Sequence, residues 1–301
     1  MTDKVIHISI DGLNSNKVKD FINSGNSTGF KHFVNDGLYT YNARTDKSST
    51  LTLPNHTSMF TSMSVEKHGV SFNSNQNGYV INFDNIFDIL KRNNKSSAMY
   101  VGKDKFNIYK TRPDMYYINQ EYSNIYISSV IRKFIKDTGG INADKCNLYD
   151  YTFIHLQETD YIGHTNGWDS EEYKTQIADI DIGISKIIRL VNLYKNICNI
   201  TIIATSDHGG YKDSHGDNNN PENFNIPFFV YHNYIKYTDN NIYGKNIHNR
   251  IEYPYTENPD INNKNQPIRN GDIGNLIAGI LLGKGNIIKG SQINIKQNLN
   301  I

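Results

Sequence analysis

Long hydrophobic runs are missing from this sequence, and none approaches the roughly 20 apolar residues needed to cross a bilayer. A membrane-spanning chain is therefore not expected. Charge of one sign is missing too: 31 Lys and Arg stand against 30 Asp and Glu, for a net charge of +1, so neither a polybasic nucleic-acid surface nor an electrostatic membrane surface is predicted. A charged ligand has to be met by a few local groups. Cysteine is scarce: Cys146 and Cys198 match no metal-binding or redox spacing, and both are expected as unpaired core thiols. The chain starts Met1-Thr2-Asp3-Lys4 and enters a strand at once, without the charged start, apolar stretch and small-residue cleavage site of a secretory signal. A soluble, cytoplasmic protein is expected, with secretion open if the sequence has been trimmed. The heavy use of Asn, Ile, Lys and Tyr reads as AT-rich coding bias rather than as function.

What is present is a repeated grammar. Short apolar runs at 5–10, 151–156 and 200–205 each read as a strand buried on both faces, and each stops at acids and imidazoles. Asp11-Gly12 follows the first, Asp160 and His164 the second, and Asp207-His208-Gly209-Gly210 the third. In open α/β sheets, chemistry lies beyond the carboxyl ends of parallel strands, where loops present side chains and glycines allow close approach. Further strands are expected at 38–43, 79–83, 97–101 and 226–231, and helices at 18–22, 30–34, 86–91, 121–137 and 273–282. Asp169-Ser170-Glu171-Glu172 looks like a capping box opening the longest helix, with Tyr173, Ile177, Ile180, Ile184, Ile187 and Val191 along one stripe. The alternation predicts an α/β fold, a three-layer sandwich with a mostly parallel central sheet flanked by helices. One domain over residues 1–301 is expected, with an irregular insertion or lid at about 232–265, where periodicity is weak.

Two loops add chemistry. In Ser48-Ser49-Thr50-Leu51-Thr52-Leu53-Pro54-Asn55-His56, Pro54 suits the first turn of a helix, which places Thr52 just ahead of its N-terminus. Unpaired N–H groups and the helix dipole favour a phosphate or an alkoxide there. Lys103 and Lys105 lie in the loop after the 97–101 strand, within reach of an anionic substrate. Taken singly, each feature has a plain structural explanation, the spacing of Asp160 and His164 being that of a common helical ion pair.

Together, Asp11, Asp160, His164, Asp207, His208 and His215 supply three carboxylates and three imidazoles, enough for two sets of three ligands. Mixed nitrogen and oxygen ligation suits Zn²⁺, with Mn²⁺ or other transition metals as competitors. Two such ions about 3.5–4 Å apart can clamp the attacking and leaving oxygens of a displacement at phosphorus. Thr52 would be the nucleophile, activated without a general base.

Asp11-Gly12, Thr52-Leu53-Pro54-Asn55-His56, Asp160-x-x-x-His164, Ser206-Asp207-His208-Gly209 and His215-Gly216, in this order, resemble the motif set of the alkaline phosphatase superfamily, and most of all its type I phosphodiesterase/nucleotide pyrophosphatase branch. Residues 102–106 and 266–272 also look like segments of bacterial-type members. The resemblance implies that Asp160, His164 and His215 hold one zinc, and that Asp11, Asp207 and His208 hold the other together with Thr52. Asn55 matches the residue that hydrogen-bonds a phosphoryl oxygen. Relatives of this kind are frequently secreted.

Departures narrow the substrate. Sulfatases present Cys or Ser followed by x-Pro-x-Arg, whereas positions 52 and 56 here are Thr and His. No segment matches the phosphate-binding arginine of monoesterases, and the chain is too short for the inserted domain of cofactor-independent phosphoglycerate mutases. A metal-dependent phosphodiesterase or nucleotide pyrophosphatase acting through a phospho-threonine is the favoured reading, with a nucleotide or other small phosphodiester as substrate. Phosphomonoester or phosphonate hydrolysis, and a non-catalytic metal-stabilised binding module, remain open alternatives.

Overall fold

A computed structural model of the protein describes residues 1–76, 78–119, 128–139, 145–244, 250–283, 285, 287–289 and 291. Seven strands, β1 (Thr2–Ile10), β2 (Leu38–Arg44), β3 (Ser97–Val101), β4 (Met115–Ile118), β5 (Tyr151–Leu156), β6 (Cys198–Thr205) and β7 (Asn225–His232), form one sheet in the order β2-β7-β6-β1-β5-β3-β4. The run β6-β1-β5-β3-β4 is parallel, and only β7 is antiparallel to its neighbours. The helices are α1 (Ser15–Asn23), α2 (Lys31–Asp36), α3 (Thr52–Thr61), α4 (Val65–His68), α5 (Ile86–Arg92), α6 (Ser129–Asp137), α7 (Glu158–Asn166), α8 (Glu171–Leu193), α9 (Pro221–Phe224) and α10 (Ile273–Leu282). This is the α/β sandwich expected: a mostly parallel sheet with helices on both faces.

Alternation along the strands assigns the two cores. Ile6, Ile8 and Ile10 of β1 and Ile154 and Leu156 of β5 pack with α1, α2, α6 and α8, where the predicted stripe of α8 is wholly buried. Val5 of β1 and Tyr151 and Phe153 of β5 pack on the other face with Leu53, Met59 and Phe60 of α3 and with α5 and α10. Both faces of the central strands are covered, which explains their near-continuous apolar runs. Ser9 and His155 continue the second set, so the last polar positions of β1 and β5 lie on the side of α3.

Several local expectations need correction. No strand forms at 79–83, and Val80 is 76% exposed. Instead β4 adds a short parallel strand beside β3. Helix α6 begins at Ser129, and residues 121–127 of the expected 121–137 helix lie outside the described ones. Thr52 is the first residue of α3, with Leu51 as its cap. Cys146 and Cys198 are not free thiols but are joined in a disulfide across a sequence separation of 52, a pairing that only the approach of β6 to the segment before β5 creates.

The 232–265 stretch is largely irregular, with a short 3₁₀ turn at Ile242–Gly244, and residues 245–249 lie outside the described ones. Two buried arginines clip its later part: Arg44 donates to the carbonyls of Tyr253, Pro254 and Glu257, and Arg269 to that of Pro259 and to Asn258 Oδ1. Among the described residues, no helix is long and apolar enough to cross a membrane.

Candidate metal centre

Strands β5, β1 and β6 are adjacent and in register, Ser9 standing beside both His155 and Thr205, so their carboxyl ends finish together. Asp11 leaves β1, Asp207 and His208 leave β6, and α7 carries Asp160 and His164 on one face. A tight turn at Tyr211–Ser214 then returns His215 to the same place. Gly12, at φ +69, makes the turn beneath this cluster, and a Cβ there would lie 3.0 Å from the Asp160 Cα. In each of the two sets, Asp160–His164–His215 and Asp11–Asp207–His208, one potential ligand atom per residue lies within 4.8 Å of the others. All but His164 are buried.

The hydrogen bonds sort the atoms of these six side chains into two kinds. Each carboxylate commits one oxygen to a protein donor: Asp11 Oδ2 and Asp160 Oδ2 to Lys103 Nζ, both at 2.6 Å, and Asp207 Oδ1 to the Gly12 N–H at 3.1 Å. The other oxygen of each, Asp11 Oδ1, Asp160 Oδ1 and Asp207 Oδ2, is buried with no hydrogen-bond partner. Such orphans are costly unless something else meets them. The imidazoles show the complementary arrangement. His164, His208 and His215 each turn Nδ1 to a backbone carbonyl, of Asp213, Gly209 and Thr50, at 3.0, 2.8 and 2.6 Å. A carbonyl can only accept, so Nδ1 carries the proton in each neutral ring and Nε2 keeps its lone pair.

The free atoms face one another. Asp11 Oδ1 and Asp207 Oδ2 lie 3.3 and 3.4 Å from His208 Nε2, and Asp160 Oδ1 lies 3.4 and 3.6 Å from the Nε2 atoms of His164 and His215. The latter two nitrogens are 3.1 Å apart. Converging lone pairs and unpaired carboxylate oxygens repel unless cations lie among them, so the donor set fits divalent metals, with the carbonyl-bound Nδ1 groups fixing each ring as outer partners do in metal sites. Where no metal ion offsets the carboxylates, the cluster draws protons instead. Burial and the neighbouring Asp11 carboxylate push Asp207 up to about 7. Burial opposes a charge on His208, but Asp207 and Asp11 outweigh it and raise the ring to about 9. Asp11 is held well below the usual carboxylate range because Lys103 and His155 overcome its burial.

Thr52 Oγ1 lies 3.5 Å from His208 Nε2, at the first turn of α3. Asn55 is placed otherwise than expected. Its Nδ2 donates to the carbonyls of Ser49 and Leu51, and its Oδ1 accepts from Asp46 N and Asn270 Nδ2. An amide has two donors and two acceptor sites, and all are taken. Asn73, read from sequence only as part of a polar turn, accepts through Oδ1 from Leu53 N at 2.9 Å and from Lys105 Nζ at 3.0 Å. Lys103 lies between two carboxylates, and burial and Lys103 together lower the Lys105 ammonium. Two further histidines, neither expected as a partner of the cluster, lie beneath it. His56 donates to the Thr52 carbonyl at 2.7 Å and accepts from Ser9 Oγ, and His155 bonds Asp11 Oδ2 at 2.8 Å. The signal for His155 was the strand alternation that puts it on the α3 face.

Residues 5–223 match the family described as type I phosphodiesterase / nucleotide pyrophosphatase. The chain belongs to this family. Among solved structures, murine ectonucleotide pyrophosphatase/phosphodiesterase 5 (ENPP5) aligns at 22% identity and TM-score 0.52, over 68% of this chain and 57% of that one. An inactive ENPP5 variant in complex with AMP aligns at 15% identity and TM-score 0.60, over 98% of this chain and 99% of the other. The periplasmic domain of the phosphoethanolamine transferase EptC from Campylobacter jejuni aligns at 14% and TM-score 0.59, over 99% and 95%. Its counterpart from Escherichia coli, in complex with zinc, aligns at 10% and TM-score 0.56, over 98% and 87%. At such identities these family relatives and transferases share the alkaline-phosphatase-like fold. The part matched in the first ENPP5 structure is under two thirds of that protein's length.

Proposed function

We propose that this protein is a metal-dependent phosphodiesterase or nucleotide pyrophosphatase that works through Thr52. The observation that carries the reading is the set of three orphaned carboxylate oxygens and three lone-pair Nε2 atoms beside the Thr52 hydroxyl. Asp160, His164 and His215 would hold one divalent ion, and Asp11, Asp207 and His208 the other. The mixed donor set favours Zn²⁺, with Mn²⁺ or another transition metal as alternatives. Two such ions supply Lewis-acid stabilisation of an in-line displacement at phosphorus and lower the pKa of a hydroxyl beside them.

Thr52 Oγ attacks phosphorus, the ester or anhydride oxygen departs and takes up the proton that the hydroxyl gives up to solvent, and Thr52 carries the remaining phosphoryl group with its other ester. Attack by water then breaks the Thr52–phosphorus bond, releases a phosphomonoester and returns a proton to Thr52. The first turn of α3 sets its positive end beside the phosphoryl oxygens. Asn73 takes the phosphoryl contact first expected of Asn55, because Asn55 has no N–H to offer. Lys105 meets an anionic part of the substrate, while Lys103 serves the two carboxylates. A nucleotide or another small phosphodiester is the substrate proposed, supported by family membership and by the AMP held in ENPP5. The disulfide supports an oxidising compartment over the cytoplasm.

The test is hydrolysis of a chromogenic nucleotide phosphodiester beside the matching monoester, with zinc, with manganese and after chelation. Chelator-sensitive preference for the diester, lost by at least about a thousandfold in Thr52→Ala, is expected. Full activity of Thr52→Ala would overturn the nucleophile, and faster turnover of the monoester would overturn the substrate class.

A further inference from the structure

We infer that His155 is a positioning residue for one of the two candidate metal sites: it pins Asp11 Oδ2 so that Asp11 Oδ1 is presented beside His208 and Asp207. The inference rests on the two-metal reading above and adds an asymmetry between the sites. His155 is wholly buried on β5. Its Nδ1 lies 3.4 Å from the Gly102 N–H, and an N–H can only donate, so Nδ1 accepts and the proton sits on Nε2. That Nε2–H points at Asp11 Oδ2 over 2.8 Å. The tautomer is thus the reverse of that in His164, His208 and His215. With its one lone pair occupied by Gly102, His155 is no ligand itself.

A carboxylate rotates broadly about its last torsion and would offer either oxygen. One donor on a fixed ring breaks that symmetry. The ring is fixed by packing, with centroids 4.7 Å from Phe106 and 5.1 Å from His56. Lys103 also holds Asp11 Oδ2, yet it holds Asp160 Oδ2 equally, so it cannot distinguish the sites. Among the described residues, no histidine donor plays the same part for the committed oxygens of Asp160 or Asp207.

The consequence is that loss of the His155 donor weakens the Asp11–Asp207–His208 site and spares the Asp160–His164–His215 site. Two variants separate the donor from the packing. His155→Gln sets an amide N–H near the position of Nε2, whereas His155→Asn can still satisfy Gly102 but falls short of Asp11. Metal-free protein is titrated with Co²⁺, reading the visible absorption of each equivalent, and with Zn²⁺ against a chromogenic chelator. Wild type is expected to take up two equivalents. His155→Asn should keep one at unchanged affinity and lose about 10- to 100-fold in the other, with the cobalt bands of only one site altered. His155→Gln should restore most of the loss. Unchanged affinity for both equivalents in His155→Asn, or equal loss from both, would overturn the assignment. A wild-type protein that binds no metal would instead sink the two-metal reading on which it rests.

Discussion

At the scale of single residues, two asparagines with opposite commitments make the sharpest contrast. Asn55 makes four side-chain hydrogen bonds, three to the loop before α3 and one to Asn270, and its removal leaves Asp46 N and the Ser49 carbonyl without these partners. Asn55→Ala is therefore expected to cost about 2–4 kcal/mol, read as a lower urea midpoint with unchanged slope. Asn73→Ala, which gives up the bonds from Leu53 N and Lys105 Nζ, should lower that midpoint less than Asn55→Ala and lower kcat by about 10- to 1000-fold; the reverse pattern would exchange the two assignments. The six candidate ligands were legible in the sequence because an acid or imidazole that ends an apolar strand has little else to do. Asn55 and Asn73 were not, since a hydrogen-bonding side chain is defined by its partners, and those of Asn55 come from residues 46–51 and from Asn270, far along the chain.

At the scale of elements, one carboxylate governs how α2 starts. Asp181, buried on α8, accepts from Ser27 Oγ, from Thr28 N and Oγ1, and from the N–H groups of Gly29 and Phe30, at 2.6–2.9 Å. These donors belong to the loop that leads into α2 and to its cap residue Phe30, so a charged acceptor on a neighbouring helix fixes where α2 begins. Asp181→Ala should destabilise the protein by at least about 3 kcal/mol, measurable by urea denaturation, while Asp179→Ala, two residues away, serves as the mild control. The strands β3 and β5 and the helix α10 could be read to the residue because burial on both faces leaves an apolar run bounded by polar ends. Strand β4 could not: its residues are only half buried, and its pairing with β3 is a tertiary event.

For the whole molecule, buried histidines and one covalent link set the response to conditions. Burial lowers His7 to about 3, and His68 and His232 to about 4, against an ordinary 6.5. All three fold with depressed values, so between pH 6.5 and about 4 the unfolded chain binds more protons. The stability these three contribute is complete above pH 6.5 and is lost as the pH falls through that window. A urea midpoint that drops from pH 7 to 4.5, and drops less in His232→Gln, is the expected result. The Cys146–Cys198 link closes a loop for which chain entropy gives about 4 kcal/mol. Titration under denaturing conditions should find no free thiol before reduction, and reduction should lower the urea midpoint.

One further property follows from the place of Trp168, the single tryptophan of the chain. Its indole donates to the Gly12 carbonyl at 2.8 Å and packs so closely on Gly210 that a Cβ there would sit 2.0 Å from the ring. Its centroid is 5.2 Å from His164 and 6.1 Å from His215, while His208 of the other set makes no ring contact with it. The protein therefore carries its one tryptophan beside one of its two candidate sites. Its emission, excited selectively over tyrosine, is a built-in optical gauge for the filling of the cluster, so a quenching ion such as Cu²⁺ entering beside His164 and His215 should darken the tryptophan saturably.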